Sequence, residues 1–270
     1  MRAGRGGRAA AWAAAAFALV FAGCAAPSSS AAEGVSSELL WAGDLETGDL
    51  SQFQDGPWNL VGGVPPKIVE DPVRSGRYAV ALTLDRTTTS ADGICCGSRN
   101  ELLPKVPDLR EGDERWFAFS TYLEPGFPVD AYWQVLTQFK QDGDGPPPLG
   151  LYVEEGQYRI EGGGGHPWSP DPFDTPIGAA TTGEWVDWTI HVVFSSNPDT
   201  GSVEVWKNGA LALPRFAPPA GTMYPKMFGT ADSYVKTGYY RSPDIATPGT
   251  LVLDDWRIGT TRESVDRSPS

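Results

Sequence analysis

Three short stretches of the sequence place basic and polar side chains on one face of a predicted β-strand. Because the side chains of a strand alternate between two faces, residues two apart point the same way. The faces of interest are Arg99 and Glu101 in SRNELL (98–103); Gln134, Leu136, Gln138 and Lys140 in WQVLTQFK (133–140); and Tyr234, Lys236, Gly238 and Tyr240 in YVKTGYY (234–240). Together on one concave sheet they would line a groove for an anionic chain, although each stretch alone also fits a half-solvated strand.

The opposite face of the middle stretch is more apolar and is predicted to enter the core with Trp133, Val135, Thr137 and Phe139. Around the groove we predict further substrate contacts from Asn100, Glu101, Gln134, Tyr234, Arg241, His166 and Trp168. His166 and Trp168 belong to the glycine-rich segment EGGGGHPW (161–168), a loop that would reach the groove. The alternatives are an exposed histidine, and a tryptophan that is exposed or packed in the core.

The elements that position these residues are predicted to be short strands. Glycine (32) and proline (24) are abundant, and no long stretch after the N-terminus shows a helical period. Roughly a dozen strands are expected, with hairpin turns at Glu155-Gly156 and Asn208-Gly209. We therefore predict an all-β fold, a single-domain β-jelly roll of the concanavalin A-like sandwich type over residues 39–262, followed by a frayed tail at 263–270.

The N-terminal residues 1–24 have the pattern of an export signal, with three arginines, an apolar run and small residues before Cys24. Ala22-Gly23-Cys24 resembles the lipobox of bacterial lipoproteins, which predicts acylation of Cys24 as a lipid anchor. An ordinary cleaved secretion signal is the alternative. Residues 25–38 fit a flexible tether. The protein is thus expected to be exported, as a cell-surface lipoprotein or a secreted protein, with no transmembrane helix in the mature chain.

The predicted mature chain is strongly acidic. Removal of residues 1–24 takes away three arginines and no acids, which leaves 18 basic and 34 acidic residues and a formal charge of −16. Such a chain should not bind nucleic acid or anionic membranes non-specifically. We expect a monomer. Cys95 and Cys96 are adjacent, so they form either a strained disulfide or two free thiols.

The order of the three polar stretches resembles a known family. RNE, QFK and YVKTGYY fall in the order and at the approximate spacing of the R-x-E, Q-x-H and Y-x-K-x-G-x-Y motifs of jelly-roll polysaccharide lyases. The chain most resembles the heparin lyase I-like family, and more distantly the glucuronan lyases and alginate lyases. LETGDLSQF, GEWVDWTIHVVFS, GSVEVWKNG and LVLDDWRIG match as well, so the resemblance extends over about residues 40–260.

The resemblance implies β-elimination on a uronate-containing polysaccharide. The C5 proton beside a carboxylate is a poor acid, so the site must neutralise that carboxylate and stabilise the enolate-like transition state. Arg99 and Gln138 carry suitable groups, while Tyr240 would act as base and acid, with Lys236 favouring its phenolate. The family histidine is Lys140 here. Either Lys140 is electrostatic and Tyr240 performs both proton transfers, or the site is degenerate and only binds sugar.

The partner implied is an acidic polysaccharide, and no cofactor is required for this chemistry. A structural calcium ion is expected, because jelly rolls often share one between their first and last strands, where Glu46 and Asp254 have suitable positions. The alternative is a pair of solvated acids at turns. Two other functions stay open. One is a non-catalytic cell-surface carbohydrate-binding protein; the other is a retaining glycoside hydrolase, which needs two carboxylates about 5–5.5 Å apart.

Overall fold

The computed structural model describes most of the chain between residues 37 and 266. The described residues are 37–56, 60–61, 63–86, 89–90, 97–141, 145–163, 172–225 and 232–266. The predicted export signal and nearly all of the predicted tether lie outside them. So do several residues singled out in the sequence, namely Cys24, Cys95, Cys96, His166 and Trp168.

Two large antiparallel sheets account for most of the strands. The first contains β1 (Leu39–Gly43), β3 (Lys67–Val69), β4 (Ala79–Leu84), β7 (Glu114–Leu123), β12 (Trp185–Val193), β13 (Ser202–Lys207), β14 (Ala210–Phe216) and β16 (Gly249–Gly259). Hydrogen bonds join seven of these eight strands in the order β14-β13-β12-β7-β16-β4-β3, and the eighth, β1, pairs with β16. The first and last strands of the domain are therefore neighbours, as the sequence analysis assumed for the metal site.

The second large sheet brings the three polar stretches side by side. Its six strands are β6 (Ser98–Leu102), β8 (Gln134–Lys140), β9 (Leu149–Glu154), β10 (Gln157–Gly162), β11 (Phe173–Ala179) and β15 (Tyr234–Arg241). They are joined in the order β11-β10-β9-β8-β15-β6. A small third sheet pairs β2 (Leu60–Val61) with β5 (Thr89–Ser90). Because β15 lies between β8 and β6, residues that are distant in sequence meet on one surface.

The hydrophobic core lies between the two large sheets. Strand β12 shows the expected alternation, with Trp188, Ile190 and Val192 buried and the residues between them partly exposed. Phe117 of β7 packs on Phe139 of β8 with ring centroids 4.8 Å apart, so aromatic contacts join one sheet to the other. This burial of apolar surface is the main driving force that holds the sandwich together.

Both predicted hairpin turns are present. Glu155 and Gly156 connect β9 to β10 with φ angles of 50° and 73°, and Asn208 and Gly209 connect β13 to β14 with φ angles of 51° and 76°. Positive φ at both central residues is the geometry of a type I′ turn, whose twist matches that of the flanking strands.

One turn of helix, α1 (Arg262–Val265), follows β16. Its N-terminus is capped because the Thr261 side chain accepts a hydrogen bond from the Ser264 N–H, and the Ser264 side chain accepts one from the Thr261 N–H. Val265 is fully buried. The prediction of a frayed tail from residue 263 is therefore wrong for these residues, because an apolar anchor and a capping box fix them.

The structure confirms an all-β sandwich of two antiparallel sheets in a single domain. It contains sixteen strands within the described residues, more than the sequence predicted. Strand β11 was missed because its sequence, FDTPIGA, carries a proline and a glycine that weaken a strand pattern. The described part of the chain contains no helix with the length and apolar character needed to span a bilayer.

Candidate active site

Cross-strand pairing places the predicted catalytic residues together. Paired residues of neighbouring strands point to the same side of a sheet. On the side away from the core, the pairs are Tyr240 with Arg99, Gly238 with Glu101, Lys236 with Gln138, and Tyr234 with Lys140. We call this side of the six-stranded sheet the polar face. The intervening residues Val235 and Tyr239 belong to the core on the other side, as the alternation predicted.

Arg99 and Tyr240 are in direct contact on the polar face. The guanidinium carbon of Arg99 lies 3.9 Å from the centre of the Tyr240 ring. Trp133 packs edge-on against the same ring, with centroids 4.9 Å apart and planes at 69°. Both side chains are partly exposed, and the contact is a cation–π interaction between the guanidinium and the face of the ring.

Gln138, Glu101 and Lys236 form a buried polar cluster beside this pair. The Gln138 amide Nε2 donates a hydrogen bond of 2.5 Å to Glu101 Oε1, and Lys236 Nζ lies 3.8 Å from Glu101 Oε2. Each of the three side chains is at most 2% exposed. An amide nitrogen carries two N–H groups, and this hydrogen bond uses one of them. Glu101 therefore orients the amide and balances the ammonium charge.

Lys140 stands at the position of the family histidine. Its Nζ donates a hydrogen bond of 2.7 Å to the carbonyl of Gln141, and it pairs across the sheet with Tyr234. The ring of Tyr234 lies 5.8 Å from Lys236 Nζ. Together with Arg99 and Lys236, Lys140 is thus a third cation of the polar face, located beyond Gln138 at the end of β8.

Gly238 lets β15 and β6 approach closely. Its φ is +141°, and a Cβ there would lie 2.5 Å from the Asn100 carbonyl oxygen and 2.7 Å from the Cα of Glu101. No side chain fits at such distances, so this position of the Y-x-K-x-G-x-Y stretch must be glycine. The close approach holds the Arg99 and Glu101 side chains against those of Tyr240 and Lys236.

A bulge in β8 changes which of its side chains reach the polar face. The register of β8 shifts between Val135 and Thr137 in its pairing with β9. A bulge adds one residue to one strand, so the alternation on its far side is reversed. Trp133 and Val135, predicted to enter the core, therefore lie on the side of Tyr240, whereas Leu136, predicted for the polar face, is in the core.

Gln134 and Arg241 do not lie on the polar face, because the bulge turns Gln134 to the core side and the regular alternation of β15 turns Arg241 away from Tyr240. The two residues pair with each other on the core side of the sheet. Gln134 accepts a hydrogen bond of 2.6 Å from the Tyr239 hydroxyl, and Arg241 donates one to the carbonyl of Thr247. Both side chains are at most 1% exposed. The prediction that they contact substrate is therefore wrong, since they brace the inner side of the sheet.

Asn100 is also not on the polar face. It lies between Arg99 and Glu101, so strand alternation turns its side chain to the opposite side. Its amide donates a hydrogen bond of 3.1 Å to the carbonyl of Val64 and a longer one of 3.5 Å to that of Thr83. The predicted contact between Asn100 and substrate is therefore wrong, because the side chain links this sheet to the neighbouring layer.

Tyr152 of β9 also lies on the polar face, although it was not predicted from the sequence. Val135 pairs with Tyr240 on one side and with Tyr152 on the other, which places both phenols on the polar face. Burial raises the pKa of Tyr152 well above its ordinary value, and the charge of Glu161 adds to the effect. A signal was present, because the alternating apolar residues of β9 enter the core and leave Tyr152 on the other side; they are Leu149, Leu151 and Val153.

The polar face becomes acidic on β10 and β11. Glu161 pairs across these strands with Asp174. Burial, and then the charges of Asp174 and Glu154, raise the pKa of Glu161 to about 8. Arg159 forms ion pairs with Asp174 and Glu155, so its charge is neutralised locally. The face is therefore polarised, with cations on β6, β8 and β15 and carboxylates on β10 and β11.

Glu46 and Asp254 hold the same turn, residues 74–78 between β3 and β4. Glu46 Oε1 accepts hydrogen bonds of 2.9 and 3.0 Å from backbone N–H groups of this turn, and Asp254 Oδ2 accepts others of 2.8 and 3.1 Å. Asp254 is fully buried rather than solvated, and burial, together with the charge of Asp255, raises its pKa to about 7.

The other oxygen of Asp254, Oδ1, is buried and has no hydrogen-bond partner in the described structure. Such an oxygen suits a cation, since calcium binds carboxylates. However, the described residues contain no cluster of three or more acidic, histidine or cysteine side chains with metal-binding geometry. Calcium binding by Glu46 and Asp254 therefore stays a prediction.

A family model described as polysaccharide lyase matches residues 45–261 of the chain. This range contains every residue of the polar face described above. The match is to the general lyase description, so the narrower relationship to heparin lyase I-like proteins stays a prediction. No protein of curated function matches the sequence at a significant level.

Solved structures of low sequence identity share the fold. An endo-β-1,4-glucuronan lyase from the fungus Trichoderma reesei superposes with a TM-score of 0.61 at 16% identity, covering 86% of this chain and 100% of its own. The family 7 alginate lyase A1-II′ has a TM-score of 0.52 at 13% identity, covering 71% of this chain and 82% of its own. The catalytic domain of a family 131 glycoside hydrolase from Coprinopsis cinerea has a TM-score of 0.53 at 13% identity, covering 86% of this chain and 96% of its own. These similarities establish a common jelly-roll architecture.

Proposed function

Because the chain belongs to the polysaccharide lyase family, we propose that it cleaves a uronate-containing polysaccharide by β-elimination on the polar face. The observation that carries this proposal is the contact of the Arg99 guanidinium with the Tyr240 ring, beside the cluster of Gln138, Glu101 and Lys236. A cation, an amide and a phenol meet there, and elimination next to a carboxylate requires groups of these three kinds.

The first task of the site is to reduce the negative charge of the substrate carboxylate. Arg99 and the second N–H of Gln138 would hydrogen-bond the carboxylate, and Lys140 would add positive charge beyond them. Once the carboxylate is neutralised, removal of the C5 proton no longer places a carbanion beside a full negative charge. The enolate-like charge of the transition state is then spread over the same donors.

The second task is proton transfer, which we assign to Tyr240. With Arg99 against its ring, Tyr240 can carry the negative charge that a base needs to remove the C5 proton. Lys236 is held by Glu101 and acts electrostatically. In this scheme Lys140 is not the base, because the site already holds a phenol in contact with a cation. The elimination itself requires no redox cofactor.

The substrate class we propose is a polyuronate of low sulfation. Two of the proteins with this fold are a glucuronan lyase and an alginate lyase, whose substrates are polyuronates. The mature chain has few basic residues, which disfavours a heavily sulfated polymer such as heparin. A structural calcium ion at Glu46 and Asp254 is part of the same proposal. Its role would be to fix the turn of residues 74–78.

The proposal is tested with a panel of polyuronates, since elimination creates a C4–C5 double bond that absorbs ultraviolet light. We expect the wild-type protein to generate this absorbance with at least one polymer. Tyr240→Phe should lower kcat by about 10²–10⁴-fold because it removes the proton-transfer group. Tyr122→Phe, on the other large sheet, is the matched control and should keep full activity. Full activity of Tyr240→Phe would contradict the assigned role.

A second candidate is glycan binding without catalysis, and the observation that favours it is Lys140 at the histidine position. That function would give saturable binding to a polyuronate and no ultraviolet product from any member of the panel. A hydrolase is a third candidate, because Glu161 and Asp174 face each other on adjacent strands. Release of reducing ends without ultraviolet absorbance, abolished in Glu161→Gln, would identify that activity.

A further inference from the structure

We propose that Tyr152 is a second catalytic phenol, which donates a proton to the departing O4 while Tyr240 acts as the base. The inference deepens the proposed function and rests on it. In the simpler scheme a single tyrosine performs both proton transfers. The polar face offers two phenols instead, and their surroundings differ in the way that a base and an acid require.

The two phenols flank one residue. Val135 pairs with Tyr240 of β15 and with Tyr152 of β9, so the three side chains form a row across adjacent strands. Adjacent strands lie about 4.8 Å apart, which separates the two tyrosine backbones by roughly 10 Å. Between them lies the small aliphatic side chain of Val135, which is covered by its neighbours and only 2% exposed. A sugar ring lying over this row would thus have one phenol on each side.

The ring of Tyr152 leans over a glycine toward the polar cluster. A Cβ at Gly150 would lie only 2.7 Å from Cε2 of Tyr152, so the ring covers this position. Gly150 in turn pairs with Gln138 on β8 and with Glu161 on β10. The Tyr152 ring therefore lies beside Gln138, the side chain proposed to bind the substrate carboxylate.

The hydroxyl of Tyr152 is not committed to another group. Among the described residues no hydrogen-bond partner for it is found, and 7% of the residue remains exposed. By contrast, the neighbouring buried phenol of Tyr239 donates to Gln134 Oε1. A phenol that is placed in the substrate face with an unused O–H is suited to donate a proton.

The surroundings of the two phenols differ, because one contacts a cation and the other is buried beside acidic residues. Tyr240 is in contact with the Arg99 guanidinium. Tyr152 faces the carboxylates of Glu161 and Glu101, and the Arg159 guanidinium opposite it on β10 is paired with Asp174. Burial and those carboxylates raise the pKa of Tyr152. Tyr152 consequently keeps its proton at neutral pH, and Tyr240, in contact with the Arg99 guanidinium, is the phenol that we assign as the base.

Each of the two phenols transfers one proton in the proposed elimination. The Tyr240 phenolate takes the C5 proton, and the electron pair of the C5–H bond forms the C4–C5 double bond. The C4–O4 bond breaks, and O4 keeps its electron pair and takes the proton of the Tyr152 hydroxyl. Tyr240 is then neutral and Tyr152 is a phenolate. Exchange of one proton between them through solvent restores the starting state.

The test compares two leaving groups in Tyr152→Phe. On the polyuronate that the wild-type protein cleaves, we expect kcat to fall by about 10²–10⁴-fold with KM within a few-fold. The second substrate is an oligouronide with fluorine in place of O4 at its terminal uronate. Fluoride leaves without a proton, so Tyr152→Phe should release it within a few-fold of the wild-type rate, while Tyr240→Phe should lose both activities.

Two outcomes would overturn the inference. Near-normal cleavage of the polymer by Tyr152→Phe would show that O4 receives its proton elsewhere. Loss of both polymer cleavage and fluoride release, in a variant with a wild-type circular dichroism spectrum, would indicate that Tyr152 positions substrate. Tyr122→Phe is the control for each assay. A wild-type protein inactive on every polyuronate would instead contradict the proposed function itself.

Discussion

At the scale of single residues, Glu101 links the groups that would hold the substrate. It accepts the Gln138 amide at 2.5 Å and lies 3.8 Å from the Lys236 ammonium, and all three are buried. A buried ion pair contributes little net stability, but removal of one partner leaves an uncompensated charge in a poorly solvated place. The role of Glu101 is therefore to permit a lysine and an oriented amide at this point of the face.

We expect Glu101→Gln to lower the free energy of unfolding by about 3–5 kcal/mol, because Lys236 then keeps a buried charge without this carboxylate. Urea unfolding followed by tryptophan fluorescence measures the change. The matched control is Glu70→Gln, whose partner Arg77 is largely exposed and whose loss should change stability by less than about 1 kcal/mol. Equal stability of the two variants would show that Glu101 does not balance Lys236.

Strand alternation and motif order identified most of the side chains that meet on the polar face. Alternation located Arg99, Gln138, Lys236 and Tyr240 correctly, because each lies in a stretch where the two-residue period holds. It failed for Gln134, because the bulge that inverts the period is a property of strand pairing and has no local signature. The variants described above test which of these residues perform the proposed chemistry.

At the scale of elements, the close contact of β15 with β6 is the feature on which the candidate site depends. We expect Gly238→Ala to lower the free energy of unfolding by about 1–3 kcal/mol through backbone strain. Because the new Cβ would clash with the Asn100 carbonyl, the strands must separate. A displacement of about 1 Å between Arg99 and Tyr240 should reduce kcat by about 100-fold.

The matched control for this variant is Gly209→Ala. Gly209 also has a positive φ, of +76°, but its Cβ would meet nothing within 4 Å. The Gly209→Ala variant should therefore be destabilised by about 1 kcal/mol, and it should keep full activity. Thermal melts on both variants measure the effect of backbone strain on stability, and lyase assays measure the effect of strand separation on activity. Unchanged kcat in Gly238→Ala would mean that the spacing of β15 and β6 does not govern the site.

Elements with strong local signals were predictable and those fixed by partners were not. The hairpins at Glu155-Gly156 and Asn208-Gly209 follow from turn chemistry that two adjacent residues carry. Strand β11 does not, because FDTPIGA is a strand only through its pairing with β10. The three polar stretches were expected to share one sheet, but the order β8-β15-β6 was not predicted. No local signal tells residues 98–102 to pair with a strand more than a hundred residues later.

At the scale of the whole molecule, buried carboxylates make stability depend on pH. Folded protein keeps a proton on Glu161 up to about pH 8, whereas the unfolded chain loses it near the ordinary value of 4.5. Between these values the folded state binds more protons, so the contribution of Glu161 to stability falls as pH rises. The pKa of Asp254, raised to about 7, acts in the same direction.

The Glu161→Gln variant should therefore lose less stability than the wild-type protein as pH rises. We expect the variant to match the wild-type melting temperature near pH 4.5 and to exceed it near pH 8. Thermal melts at several pH values measure the difference. Glu70→Gln, at an exposed site, should leave the profile unchanged. If the melting temperatures of the wild-type protein and Glu161→Gln change in parallel with pH, Glu161 has the same pKa in the folded and unfolded states.

The acidic strands β10 and β11 have a kinetic consequence for a polymer lying across the sheet. A polyuronate lying across the sheet would be held by the cations on β6, β8 and β15, whereas Arg159, the basic residue of β10 and β11, is paired with Asp174 and Glu155 and would hold the portion beyond β9 only weakly. After scission, the fragment over the acidic strands has lost its tether and diffuses away. Such an enzyme returns to bulk solution between cuts and works distributively, so mean polymer length falls early, while the shortest oligosaccharides are still scarce.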